Sequence, residues 1–446
     1  MLKSTINASV KKITLLLLSG VLLSIPTSCF AIKEKTSILP LVLIDTFGKW
    51  IPDEPKISAR MKIIYDESGG RNALNSPHVH FDGKIGIEVR GKTSQAFPKK
   101  QYGFEIQDDS GNDKDVSLLQ LPAESDWILN GPYSDKTLMR NYLAYEFSNR
   151  MGRYAIRTKF VEVFLNDSGD TKIRQKHYVG VYLLMEKIKR GKNRVNIQSL
   201  KSTQEKPSEI TGGYILKIDK IDLNDRYFLT DYRTRLIHVY PKGNQISAAQ
   251  KAWIRNYMSA FESSLKAPDR GEYVEYIHTD TFIDHFIINE LFRNIDGFRN
   301  STYMYKDRNT KLKMGPIWDF NLSMGNAYFN NGWETDGWLI HTNPVPFWWD
   351  RLLTDENFKR KLVKRWRALR KDELTTSKLL EEIDRTAEYL SKAQSRNFER
   401  WPVLGVSVLG NPQSNPSTYE QEVHQLKTWL QDRLEWIDAH IGYLGQ

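Results

Sequence analysis

Thiols are almost absent from this chain: Cys29 is the one cysteine among 446 residues. No intramolecular disulfide can form, so stability must come from packing. Long apolar runs are scarce too. The run 13–25 follows Lys3, Lys11 and Lys12; it has the length of a secretory h-region and is too short to span a bilayer comfortably. A signal peptide over 1–31 is therefore expected, with cleavage after Ala31 and export to the periplasm, envelope or exterior. That cut would also remove the thiol. Lipid anchoring at Cys29 is disfavoured, because Pro26-Thr27-Ser28 makes a poor lipoprotein signal. No transmembrane segment is expected in the mature chain, and repeats and low-complexity tracts are lacking. Histidines are few and scattered; the pair His78-x-His80 has no third ligand in view, which argues against zinc. Acids are outnumbered, giving a net charge of +10 that drops by three with the signal lysines. This balance suits anionic partners such as nucleotides or phosphoproteins, and nucleic acid is not expected. Nothing in the sequence sets an oligomeric state.

What is present reads as α+β. Segment 57–65 is apolar and strand-like, then Glu67-Ser68-Gly69-Gly70 breaks it. Segments 84–90 and 100–106 alternate as half-buried strands do, and the second places Lys100 on a face with Tyr102, Phe104 and Ile106. A lysine on such a face must find an anion or reach out to water. A helix is expected over 136–151, between Ser134-Asp135 and Gly152. Strands follow at 160–164 and 178–185. From Thr281 an apolar helical face, including Phe282, Phe286, Ile287 and Leu291, runs to about Asn294. Segments 355–370 and 419–441 are helical as well.

One stretch carries chemistry. Asn294-Ile295-Asp296-Gly297-Phe298-Arg299-Asn300 leads into a strand at 302–305, a polar turn, a second strand at 312–318, and Asp319-Phe320-Asn321. A hairpin turning at Arg308-Asn309 sets Asn300 opposite about Ile317 and returns Asp319 to the end that carries Asp296. Phosphoryl transfer needs a carboxylate to orient the attacking hydroxyl and oxygen ligands to hold magnesium on nucleotide phosphates. A loop with Asp and Asn, a hairpin and then Asp-Phe supplies those parts in kinase order. The Asp-to-Asn spacing is one shorter than in the usual kinase loop, and no His-Arg precedes Asp296.

Several motifs, taken in order, resemble the spore-coat protein H (CotH) kinase family. They are Arg90-Gly91-Lys92-Thr93-Ser94 with Phe97-Pro98-Lys99-Lys100, Asp126-Trp127-Ile128-Leu129, and Ser134-Asp135-Lys136-Thr137-Leu138-Met139-Arg140-Asn141. Gly180-Val181-Tyr182-Leu183-Leu184-Met185-Glu186-Lys187-Ile188, Gly212-Gly213-Tyr214-Ile215-Leu216-Lys217 and Gly315-Pro316-Ile317-Trp318-Asp319-Phe320-Asn321 complete the set. The resemblance implies an atypical protein-kinase-like fold with an antiparallel N-terminal sheet, a packed helix and a helix-rich C-terminal lobe. Its divisions would be 32–190, 191–370 and a helical extension 371–446. It implies ATP with Mg2+ or Mn2+, and an exported protein substrate phosphorylated on a hydroxyl, serine being favoured.

Carried over residue by residue, Asp296 would handle the substrate hydroxyl, and Asp319 and Asn300 would hold metal. Lys100, with neighbouring Lys99 as its rival, would contact phosphate, and Glu146 would hold that lysine. Met185 and Glu186 would read the base, Arg90 to Ser94 would cover the phosphates, and Arg140 would touch phosphate or brace its helix. Asn321, where an acid is expected in some members, adds an uncharged oxygen ligand. The tryptophan-rich region after Asp319 reads mainly as core packing, with stacking on sugars as the alternative. Two other functions fit the same residues. One is a catalytically silent envelope or adhesion protein, which would lose nucleotide binding. The other is a glycosidase using Asp296 and Asp319, about 5 to 10 Å apart.

Overall fold

The computed structural model describes residues 36–267, 270–342, 344–412 and 416–444. The expected signal peptide, with Cys29 and Ala31, lies outside the described residues. All described residues fall in one unit, Thr36–Gln446, and no helix among them is long and apolar enough to cross a membrane.

The first seven strands are β1 (Leu41–Asp45), β2 (Ile57–Ile64), β3 (Val79–Arg90), β4 (Gln101–Gln107), β5 (Asp126–Asn130), β6 (Thr158–Asn166) and β7 (Tyr178–Glu186), with helix α1 (Arg140–Arg150) between β5 and β6. They close into a barrel in the order β1-β2-β3-β4-β5-β7-β6. Closure corrects the expectation of a simple antiparallel sheet. Its seam is a parallel pairing of β1 with β6, Leu41 opposite Glu162, between segments far apart in sequence, which local alternation cannot show. Inside, Phe104, Trp127, Leu129, Val163 and Leu184 belong to one core. On the outside of β7, Val181, Leu183 and Met185 share a second core with Leu143 and Phe147 of α1. Strands buried on both faces read as continuous apolar runs, as this one does.

Helix α1 starts at Arg140 rather than Lys136. The Asp135 carboxylate accepts the Arg140 N–H at 2.8 Å and the Thr137 N–H at 3.2 Å, and Leu138 stands at φ +64°. These contacts build a separate turn before the helix. The end at Gly152 is as expected, with φ +83°, a backbone region that suits glycine.

The second half has a five-stranded sheet in the order β12-β11-β8-β10-β9. Its strands are β8 (Tyr214–Ile218), β9 (Tyr227–Leu229) and β10 (Arg235–Tyr240), then, after helices α2 (Ala248–Lys266) and α3 (Thr279–Leu291), β11 (Thr302–Lys306) and β12 (Lys313–Met314). Helices α4 (Trp348–Leu353), α5 (Glu356–Arg370), α6 (Thr376–Arg400) and α7 (Tyr419–His440) follow. The expected hairpin forms with Met304 opposite Met314, one residue from the expected register. Its second strand is shorter than expected, because Gly315 turns away at φ +105° and Pro316 has no N–H to donate. Trp348 and Trp349 are fully buried, Trp338 and Phe347 pack against the same core, and Trp333 is exposed. Core packing thus accounts for most of the tryptophan-rich region.

Candidate active site

The loop after α3 is built on itself. Asn294 Oδ1 accepts the Asp296 N–H at 3.4 Å, and the Asp296 carbonyl accepts the Asn300 N–H at 2.9 Å. This folds the Asn300 side chain back, so that its Nδ2 donates to Asp296 Oδ1 at 3.0 Å and its Oδ1 is left for another partner. Arg299 also reaches Asp296, at 3.4 Å.

Asp319 reaches the same place from the hairpin's far end. It is half-buried and stands at φ +66°, a conformation that costs a non-glycine residue about 1–3 kcal/mol and concentrates at functional sites. The neighbours hold it there. Its N–H donates to the Tyr145 hydroxyl at 3.1 Å, and the Phe320 N–H donates to Asn141 Oδ1 at 2.7 Å. Phe320 is fully buried between Phe292 and Tyr145, burial that is worth roughly 1.5–3 kcal/mol. Burial, then the charge of Asp296, push the Asp319 carboxyl up to about 6, while Arg90 pulls the other way. The two acids therefore feel one another, as like charges gathered in one place must.

Arg90 and, more weakly, Lys220 act on Asp319, and Tyr303 feels both Asp319 and Lys217. Arg90, at the end of β3, lies over the Trp318 ring, 5.5 Å from its centroid; burial lowers its affinity for its proton, against Tyr303 and Asp319. Lys217 on β8 is directly opposite Tyr303 on β11, which puts both on one sheet face. Burial pulls the Lys217 ammonium down, but Tyr303 and Asp219, the latter 3.1 Å away, hold it above its usual value. Sequence reasoning missed Lys217, Asp219 and Tyr303. The signal was the last residue of the Gly212–Lys217 motif, whose facing partner is set by a pairing that no local pattern encodes.

The loop from Arg90 to Ser94 lies beside these groups. Gly91 allows its turn at φ +96°, and a Cβ there would stand 2.0 Å from Ser94 Oγ. Lys92 ties the loop across to the segment after β8, donating to the Lys220 carbonyl and pairing with Asp222 at 2.9 Å.

Other expected site residues are placed elsewhere. Lys100 Nζ donates to the Gln95 carbonyl at 2.6 Å, whereas Glu146 pairs with Arg150 at 2.9 Å on its own helix. The two do not form the expected pair. Lys99 is the more buried of the two lysines, held by the Val181 carbonyl and Asn397. The Arg140 guanidinium is occupied by Asp135 and the Ser323 and Met324 carbonyls, so it braces the segment after Asp319 and is not presented to phosphate. Met185 and Glu186, expected to read the base, both lie in the packed wall of the barrel. The Met185 backbone is flanked by Ile128 and Thr158 on paired strands, and its side chain is core. Glu186 is fully buried with Arg194 and Arg157, each at 2.7 Å. His80 Nε2 accepts the Leu119 N–H, and no group of three or more His, Cys, Asp or Glu that could hold a metal is found among the described residues.

Two carboxylates and an amide oxygen nevertheless suit magnesium, a hard cation that takes one or two carboxylates and completes its shell with phosphate and water. The donor set therefore fits that metal.

A family model described as CotH kinase protein matches residues 87–437, most of the chain. No curated protein matches.

Proposed function

The chain belongs to the CotH kinase family, and from that premise we propose that it is an exported phosphotransferase that moves a phosphoryl group from ATP to a protein hydroxyl, serine being favoured. The observation that carries this reading is the meeting of Asp296, Asn300 and Asp319 at the base of the β11–β12 hairpin. A magnesium or manganese ion held by Asp319 and Asn300 would supply charge neutralisation on the nucleotide phosphates.

Asp296 orients the acceptor hydroxyl and takes its proton; Arg299 and Asn300 fix the rotamer in which it does so. Arg90 and Lys217 face charge that develops on the transferred group, in a partly dry cleft where fixed cations act more strongly than in water. Tyr145, Asn141 and Arg140 hold the backbone from Asp319 to Met324 in position. In this assignment Lys217 takes the phosphate-contacting role that the sequence suggested for Lys100.

Incubation with γ-labelled ATP and magnesium or manganese is expected to label the protein or a co-exported acceptor. Asp296→Ala lowers that labelling by roughly 10²–10⁴-fold, the usual share of a positioned acid or base, and Asp319→Ala removes it with the fold intact by circular dichroism. Equal label in wild type and the double variant, with both metals, would leave the silent envelope protein as the better reading.

A further inference from the structure

Beside the segment that follows Asp319, on the side of α1 and α7, lies a cavity of about 510 Å³, within the roughly 300–1,000 Å³ range of small-molecule sites. We infer that this cavity is a binding site for a neutral saccharide, because a buried amide acceptor without a partner lies between matched charges and an exposed indole.

Asn411 supplies the first part. It is 6 % exposed, and its Oδ1 has no hydrogen-bond partner. The amide's orientation is set by its other end: Nδ2 donates to the Ser134 carbonyl and to Asn326 Oδ1, both at 2.8 Å. Turning the amide over would set an oxygen against two acceptors. The vacant acceptor needs an O–H or N–H donor, which an ionised carboxylate does not bring.

Charge points the same way. The cavity's cations are already engaged: Lys136 donates to the Val406 carbonyl and lies 3.7 Å from Glu422, and Arg140 pairs with Asp135 at 2.6 Å. An anion would find no uncommitted positive charge in this wall, and a cation would find Glu422 already faced by Lys136. A neutral ligand avoids both conflicts.

The rim supplies an apolar face. Trp333 is 46 % exposed and Tyr328 50 % exposed, and the backbone of Trp333 is anchored through its carbonyl, which accepts the Trp429 indole N–H at 3.0 Å. Gln425, also exposed, adds a polar group at the opening. Aromatic faces that take the C–H side of a ring, next to amides that take its hydroxyls, recognise sugars. This site is independent of the phosphotransfer assignment and does not use Asp296, Asn300 or Asp319.

The test is calorimetric titration and saturation-transfer NMR of the intact protein with cellotriose, maltotriose, chitotriose and mannotriose, and with adenosine and glucose 6-phosphate as contrasts. At least one trisaccharide is expected to bind saturably with a Kd of about 1 mM or tighter. Trp333→Ala, at an exposed position, weakens it about tenfold, and Gln425→Ala weakens it by a smaller factor, both with unchanged melting temperature. Lack of saturable binding by all four sugars, a preference for adenosine or glucose 6-phosphate, or undiminished affinity in both variants would overturn the proposal.

Discussion

Glu186 ends the apolar strand β7 and Asp319 follows the apolar run Pro316-Ile317-Trp318 beyond β12; both are at least partly withdrawn from water, yet their surroundings differ in sign. Around Glu186 the barrel provides two arginines, the Tyr154 hydroxyl at 3.0 Å and the Arg157 N–H at 3.0 Å. Around Asp319 the cleft provides another acid, with Arg90 as a partial offset. A matched buried charge is satisfied by its own framework; an opposed one must be held by the rest of the fold, and such groups concentrate at functional sites. Compensation therefore separates framework from candidate chemistry better than burial does.

The sharpest way to break this comparison is to remove Glu186. Glu186→Ala leaves Arg194 and Arg157 without their carboxylate, and a loss of about 3–5 kcal/mol in unfolding free energy is expected by urea denaturation. A change below 1 kcal/mol would mean that the barrel pair is dispensable.

Asp319 should respond to pH in the opposite way to a salt-bridged acid. Its folded pKa of about 6 lies above the ordinary carboxylate value of 3.8, so between those values the folded chain binds more protons than the unfolded one. Stability from this group is thus highest at low pH and falls as pH rises through that window. Relative to Asp319→Asn, metal-free wild type should lose about 2 kcal/mol between pH 4 and 7. Parallel curves for the two proteins would show that Asp319 is not opposed.

Asn141 tests the scaffold that joins the two regions. Asn141→Ala deprives the buried Phe320 N–H of its acceptor, which should cost about 1–3 kcal/mol and lower labelling by loosening Asp319. Retained stability together with full activity would show that Asn141 does not position that segment.

Glu146 should matter least. Its half-buried i,i+4 pair with Arg150 is worth about 1 kcal/mol at most, so Glu146→Ala is expected to leave labelling within about twofold. A loss comparable to that of Asp296→Ala would restore the Lys100–Glu146 pairing that the sequence suggested and the structure does not form.

Much of the architecture was readable from local pattern. The strands at 57–65, 84–90, 100–106, 160–164 and 178–185 all exist, because apolar residues, alternating in β3 and β4 and continuous in β6 and β7, line the barrel. The hairpin was out by one residue, since a turn's centre is less sharply encoded than its existence. What was hidden is what depends on distant pairing: the β1–β6 seam and Lys217 opposite Tyr303. Local signals also failed where one side chain overrode them, as Asp135 did in splitting a turn from α1. The approach of Asp296 to Asp319 was legible because a short hairpin brings its two ends together whatever surrounds it.

The most direct test is a carboxyl ¹³C titration of Asp319, first in metal-free protein and then with magnesium and ATP. The account expects a pKa of about 6 that falls when Asp296→Asn removes the facing charge, and falls below the usual carboxylate range when magnesium–ATP is added. An ordinary value that neither change moves would contradict it.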